Sequence, residues 1–247
     1  MKIKRLFFDI ETSYNKVASW NLGEVFLDHN CILDERAIIC ICYKWEGSKT
    51  VHSLEWNKGD DKKMLQEFVK IMNEADEIIG HNSDSFDIKW IRGRCLYHRI
   101  SMFPEYKTVD TLKFARTFKV NSKRLDYLGK YLGVGQKVKT GGFDMWKNIV
   151  ERNSSKDMKE MIKYCKQDVN LLEKVYHELS KYVKSNTHVG VLIGNSKCSC
   201  KACGSENYQI SKYRVSASGL KSVQLQCKDC NRYFTVSEAV FEANSTS

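Results

Sequence analysis

Residues 6–12 read Leu-Phe-Phe-Asp-Ile-Glu-Thr. On an apolar strand, two carboxylates two residues apart project from the same face. Asp9 and Glu11 therefore stand side by side in a segment that otherwise wants to be buried. Adjacent anions repel, and burying them is costly unless a cation offsets the charge. Hard oxygen donors at this spacing suit magnesium or manganese. Taken alone, the pair could equally be a solvated strand end, so the rest of the chain has to decide.

The elements that follow alternate. Ala37–Trp45 and Thr50–Leu54 read as a hairpin turned at Glu46-Gly47-Ser48. Residues 62–75 place Met64, Leu65, Phe68, Val69 and Met72 at helical spacing. Residues 77–80 form a short strand that ends in His81-Asn82, and residues 86–99 a second helix. Thr108-Val109-Asp110 is a last strand leading into another helix, residues 125–132 are helical, and residues 156–183 make a long amphipathic helix. Alternating strands and helices predict an α/β domain with a mixed β-sheet flanked by helices.

Length and charge narrow the function classes. At 247 residues, the chain has room for one well-packed domain and a small appendage. Its apolar runs are too short to cross a bilayer, and the start reaches Asp9 too soon for a signal-peptide core. The expectation is a cytoplasmic (or nucleoid-associated, or host-cytoplasmic if viral) protein with reduced thiols and no membrane partner. The net charge of +10 is uneven: residues 111–140 hold eight basic residues and one acid, Asp126. Such a run is either a solvated face or a track for a polyanion, and beside a metal-binding acid pair the polyanion is favoured.

Two further acidic sites share the pattern. Asp87, in His81-Asn82-Ser83-Asp84-Ser85-Phe86-Asp87, opens a helix, where an acid also suits the helix dipole. Tyr164 and Asp168 are four apart and share one face of the long helix. Asp168 lies beside the stripe of Met161, Ile162, Val169, Leu172 and Val175, so it needs a partner or a metal. His81 and Asp84 read as solvated loop residues and Asp110 as a helix cap.

Asp9–Thr12 (Asp-Ile-Glu-Thr), Asn82–Asp87 (Asn-x-x-x-Phe-Asp) and Tyr164–Asp168 (Tyr-x-x-x-Asp) resemble, in order and spacing, the three motifs of the DEDD 3′–5′ exonucleases, tyrosine subgroup. The likeness covers residues 1–183 and is nearest to stand-alone relatives of the proofreading domain of family B DNA polymerases. Thr108–Leu112 and Arg124–Leu128 add to it. The resemblance implies a ribonuclease H-like fold and two-metal phosphodiester hydrolysis with two Mg2+ or Mn2+. It implies that Asp9 bridges both ions and that Glu11 and Asp168 complete the ion that activates water. Asp87 would serve the other ion, largely through water. Tyr164 would orient the attacking water, since a phenol with a pKa of about 10 is a poor base at neutral pH. Candidate substrate contacts are Thr12, Asn82 and Phe86 from the motifs, with Lys123, Arg124, Lys137 and Lys139 from the basic run.

Cys200-Lys-Ala-Cys203 and Cys227-Lys-Asp-Cys230 are two CxxC pairs with 23 residues between them. Four thiolates at this spacing make a closed structural Zn2+ site. Cys198 is a spare that could compete with Cys200. The segment resembles a zinc ribbon, similar to those of several nucleic-acid enzymes, insertion-element transposases among them. Tyr208, Lys212, Tyr213, Arg214, Lys221, Arg232 and Tyr233 interleave basic and aromatic side chains, which suits nucleic acid, while Phe234 suits the ribbon's core.

The expected organisation is an exonuclease domain over 1–184, a linker over 185–197, a zinc ribbon over 198–241 and a disordered tail over 242–247. The expected activity is 3′–5′ hydrolysis of nucleic acid, first of all DNA with a single-stranded 3′ end, with replication or repair proteins as candidate partners. Rival readings are an exoribonuclease with the same site, a transposase-like strand-transfer enzyme, and a non-catalytic nucleic-acid-binding adaptor.

Overall fold

A computed structural model describes residues 3–23, 25–137 and 141–245. The chain divides into two compact units, Lys4–Leu179 and the residues from Ser180 on together with Ile3.

The first unit is a mixed α/β layer structure. Its strands are β1 (Arg5–Thr12), β2 (Lys16–Val17), β3 (Ile32–Asp34), β4 (Ile38–Trp45), β5 (His52–Glu55), β6 (Glu77–Gly80) and β7 (Thr108–Asp110). Its helices are α1 (Lys62–Asn73), α2 (Asp87–His98), α3 (Thr111–Arg116), α4 (Leu125–Tyr131), α5 (Phe143–Arg152) and α6 (Ser155–Ser180). Five strands form one sheet in the order β5-β4-β1-β6-β7. β1 sits at its centre, antiparallel to β4 and parallel to β6. The mixed sheet expected from the alternation is present, and the helices expected over 62–75, 86–99, 125–132 and 156–183 appear within a few residues of those limits.

β1 is apolar nearly throughout because both of its faces are covered. Phe8 packs against Phe68 of α1, with ring centroids 5.6 Å apart. Phe7, on the opposite face, meets Tyr176 of α6 at 5.3 Å. The pleat therefore sends Phe7, Asp9 and Glu11 toward α6, and Phe8 and Ile10 toward α1 and α2. The end of β1 is pinned by α5, whose Trp146 Nε1 donates to the Thr12 carbonyl at 3.1 Å.

Charged groups hold the layers where the core does not. Lys44 of β4 is buried and pairs with Glu173 of α6 at 2.6 Å. Asp61, fully buried, accepts from Arg94 at 2.8 and 2.9 Å, from the Ile38 N–H at 2.9 Å, and bonds His98 at 2.6 Å.

The second unit has α7 (Val189–Leu192), β8 (Tyr208–Val215), β9 (Lys221–Cys227), β10 (Tyr233–Ser237) and α8 (Glu238–Ser245). The three strands form an antiparallel sheet in the order β10-β9-β8. Its small core is Cys198, Cys200, Val223, Leu225, Cys227, Phe234 and Val236. Two expectations change here. Within 185–197, expected to be a linker, α7 folds onto the first CxxC pair: a Cβ at Gly190 would overlap Ser199, and one at Gly204 would lie 2.6 Å from Ile193. The expected disordered tail begins as helix, since α8 runs to Ser245 with Val240 and Phe241 on the small core; residues 246 and 247 lie outside the described residues. No described helix is long and apolar enough to cross a membrane.

Candidate active site

Three carboxylates converge at the centre of the sheet. Asp9 and Glu11 on β1 and Asp168 on α6 each bring an oxygen to within 4.8 Å of the others. α6 lies over the β1 face that carries Asp9 and Glu11, so strand alternation and helix position together make the cluster. Cys165, one turn before Asp168, touches the same spot, with its Sγ 3.6 Å from Asp9 Oδ2.

Asp87 arrives from the other side. It is buried in the first turn of α2, and its Oδ1 accepts the Ile10 N–H at 3.3 Å. It stands outside the group of three, near enough for its charge to act on Asp9.

The electrostatics are those of crowded anions. Burial, then the charges of Asp87, Glu11 and Asp168, hold the Asp9 carboxyl well above the usual range. Burial and Asp168 push Glu11 up to about 8. Burial pushes Asp87 up to about 7, against hydrogen bonds from its own N–H and that of Ile10. Asp168 is also raised by burial, with Lys137 pulling the other way.

Lys137 is the only described cation that bonds this cluster. Its ammonium pairs with Asp168 Oδ2 and lies 3.3 Å from the Tyr164 hydroxyl. Burial alone would lower the Lys137 pKa, but the Asp168 charge and hydrogen bond outweigh it, so the ammonium stays protonated. Asp168 Oδ1, buried, has no hydrogen-bond partner among the described residues. A buried carboxylate oxygen without a donor is costly, and a divalent cation between Asp9, Glu11 and Asp168 would satisfy it. The donor set, oxygen only, fits magnesium or manganese.

Tyr164 stands beside this group. Burial and the Asp168 charge push its phenol up to about 12. It keeps its proton at neutral pH and can orient a water but not deprotonate one.

The remaining expected contacts divide. Asn82, Lys123, Arg124 and Lys137 line one cleft of about 590 Å³ together with His81. Asn82 holds a left-handed backbone at φ 64°, and its N–H donates to Asp110 at 2.8 Å. Asp110 also accepts from Leu112 at 2.9 Å, which makes it the cap expected for α3. Thr12 is buried at the end of β1, and Phe86 is half-buried against Trp90. Lys139 lies outside the described residues. His81 bonds Thr111 at 2.9 Å and Asp84 pairs with Lys113 at 2.6 Å; both are half-buried and bonded rather than solvated as expected. Lys137 joins cleft to carboxylates, a link that its place in a basic run does not show.

The four cysteines also converge. Cys200 and Cys230 have Sγ atoms 3.6 Å apart, as do Cys203 and Cys227. Zinc–sulfur bonds of about 2.3 Å at tetrahedral angles put sulfurs about 3.8 Å apart, so the donor set fits zinc. The residue after each pair is left-handed, Gly204 at φ +82° and Asn231 at φ 60°. Cys198 is not in the group; its Sγ bonds the Val240 carbonyl at 3.4 Å. A third group, Asp60, Asp61 and His98, also brings ligand atoms together. Asp61 there is already taken up by Arg94, His98 and Ile38, so that group is an ion-pair network.

A family model described as the RNase_H superfamily matches residues 6–180. The chain belongs to the RNase H superfamily. Over 105 residues it is 28% identical to a DNA polymerase of Thermococcus hydrothermalis, a match that takes in 38% of this chain and 5% of that polymerase. The family B DNA polymerase of the archaeon Pyrobaculum calidifontis has a similar fold, at a TM-score of 0.56 and 19% identity, over 73% of this chain and 25% of that one. The chain thus spans a small part of either polymerase. In this RNase H superfamily domain the matched stretch contains Asp9, Glu11, Asp87, Tyr164 and Asp168.

The raised carboxyl groups make stability depend on pH. Folded pKa values above the unfolded ones mean that the folded domain binds extra protons between about pH 4 and pH 8. Their stabilising contribution is present below the unfolded values and is lost as pH rises through about 7 for Asp87 and about 8 for Glu11. Without magnesium or manganese, the melting temperature should therefore fall from about pH 5 to about pH 8, and added divalent ion should recover it. The Asp9→Asn chain should show a shallower fall. Equal slopes for the two chains would contradict the crowding.

Proposed function

We propose that the chain is a metal-dependent 3′–5′ exonuclease that hydrolyses phosphodiester bonds from single-stranded 3′ ends, DNA first. The observation that carries this is the convergence of Asp9, Glu11 and Asp168 around an unpartnered buried oxygen. The 3′–5′ direction rests on the likeness of the three motifs to tyrosine-type exonucleases, and the polymerase matches favour DNA.

Asp9, Glu11 and Asp168 would hold two magnesium or manganese ions, with Asp87 serving the second of them. When bound, such ions supply Lewis acidity toward the phosphate and lower the pKa of the attacking water. The protein's own groups do the positioning. Tyr164, protonated, offers a hydroxyl to orient the water. The Lys137 ammonium, which lines the cleft and pairs with Asp168, would also offset phosphate charge. Lys123 and Arg124 extend the same positive wall. In the second unit, the cysteines would hold one structural zinc, and that unit would add affinity for nucleic acid.

The test is a time course on 5′-labelled single-stranded DNA and RNA with magnesium or manganese. A metal-dependent ladder that shortens from the 3′ end supports the reading and names the sugar preferred. Internal cuts or joined strands would overturn it. Tyr164→Phe should slow single-turnover hydrolysis roughly 10–1000-fold with little change in binding. An unchanged single-turnover rate would remove Tyr164 from its place.

A further inference from the structure

We infer that the open face of the three-stranded sheet in the second unit is a binding platform for single-stranded DNA. The inference deepens the proposed function and rests on it for the choice of ligand.

The pairing register defines that face. On β9, Val223, Leu225 and Cys227 are buried, so Ser222, Gln224 and Gln226 point the other way. Residues directly opposite in a sheet share a face. Gln226 lies between Gln209 and Tyr233, Gln224 between Lys212 and Thr235, and Ser222 between Arg214 and Ser237. The result is three rows of three with no aliphatic side chain and no carboxylate. The opposite face carries the small core and α8 along β9 and β10, while Ile210, Tyr213 and Val215 of β8 are exposed.

An antiparallel sheet can simply turn one face to water. Three features here go beyond that. First, charge is complementary to a polyanion. Residues 180–247 hold nine Lys or Arg and four Asp or Glu, and none of the four lies on a strand of this sheet. Second, Arg214 is oriented in advance. Its Nε and Nη2 donate to Gln224 Oε1 at 3.1 and 2.9 Å, which leaves Nη1 to donate to a phosphate or a base. Third, the face offers an aromatic ring among amides. Tyr233 is 58% exposed beside Gln226, which accepts from Gln209 at 3.1 Å. Tyr208 of β8 turns inward instead, to meet Phe234 edge-on at 6.2 Å.

An exposed ring and amide side chains suit unpaired bases, which stack and offer their edges. A duplex would hide those bases and leave phosphates alone. The occupant is therefore a single strand.

The test uses the full, zinc-loaded chain and a fluorescein-labelled oligothymidylate, with binding measured across a salt series. Lys212→Ala/Arg214→Ala/Tyr233→Ala should weaken binding about 30-fold and lower the salt slope by about 1.4, for two lost phosphate contacts. Tyr233→Phe should bind as the parent does. Lys62→Ala/Lys63→Ala/Lys70→Ala, which removes three charges from α1, should change affinity less than about 2-fold. Zinc content equal to the parent's shows that the triple variant is folded. Unchanged affinity and slope in that zinc-loaded variant would overturn the platform, as would equal weakening by the α1 variant. RNA or a blunt duplex bound better than oligothymidylate, with the triple variant affecting them alone, would also overturn it. Hydrolysis is read separately. A chain that binds through this face but cleaves nothing refutes the nuclease reading, whereas cleavage with unaltered binding in the triple variant refutes the platform.

Discussion

Asp9→Ala is expected to abolish hydrolysis while leaving the fold intact. Asp9 sits on the central strand, within reach of the charges of Asp87, Glu11 and Asp168. By the proposed function it would be a ligand of the catalytic metal, so its loss should cost roughly a thousandfold or more in rate. Its loss also relieves the crowding with Asp87, Glu11 and Asp168, so the melting temperature without divalent ion should hold or rise. The check is the rate of 3′ shortening beside a thermal melt of the same sample. Full activity in a metal-replete assay would sink the site. Asp9→Asn keeps the shape, so loss of activity there separates lost charge from any rearrangement around the smaller alanine.

Removal of the proposed zinc should have the second large effect, on stability. The small core of the second unit has seven buried members, and three of them are cysteines. That leaves Val223, Leu225, Phe234 and Val236 as its buried apolar side chains, with Ala202, Tyr208, Val240 and Phe241 only partly buried against them, too little to fold such a unit alone. Structural zinc in comparable peptides contributes about 10–16 kcal/mol at neutral pH. Cys227→Ser, or a chelator, should therefore strip hydrogen-exchange protection from β8, β9 and β10 and leave that of β1, β4 and β6. Protection of β9 that survives in metal-free protein would show that zinc does not hold the unit.

Much of this was legible in the sequence because it is local. The helical spacing of Met64, Leu65, Phe68 and Met72 made α1 visible, and the pair Asp9 and Glu11 marked a candidate that the later motifs had to support. Asp110 as a cap needed only the strand-to-helix junction after it. What stayed hidden depends on distant chain. Lys137 pairs with a residue 31 positions away, and Asp61 with Arg94 33 away, so no local pattern marks either. α5 was missed although Met145 and Ile149 stand four apart and are both buried; its apolar stripe is short and its flanks are glycine and polar residues. The outward face of the second sheet was illegible because the register shifts between Ile210 and Lys212. Simple alternation from Tyr208 would send Lys212 inward.

The register of β1 has a consequence for any preparation of this protein. Both faces of the strand are filled, Phe8 by Phe68 and Phe7 by Tyr176. A slip by one residue would drive Asp9 and Glu11 into the packing around Phe68 and turn Phe8 and Ile10 toward α6. Two carboxylates in that apolar layer would cost more than the domain's margin of stability. The chain thus has no well-folded form in which these acids are misaligned. Folding itself acts as quality control, and active-site titration of a sample should return the same fraction as a count of its folded molecules.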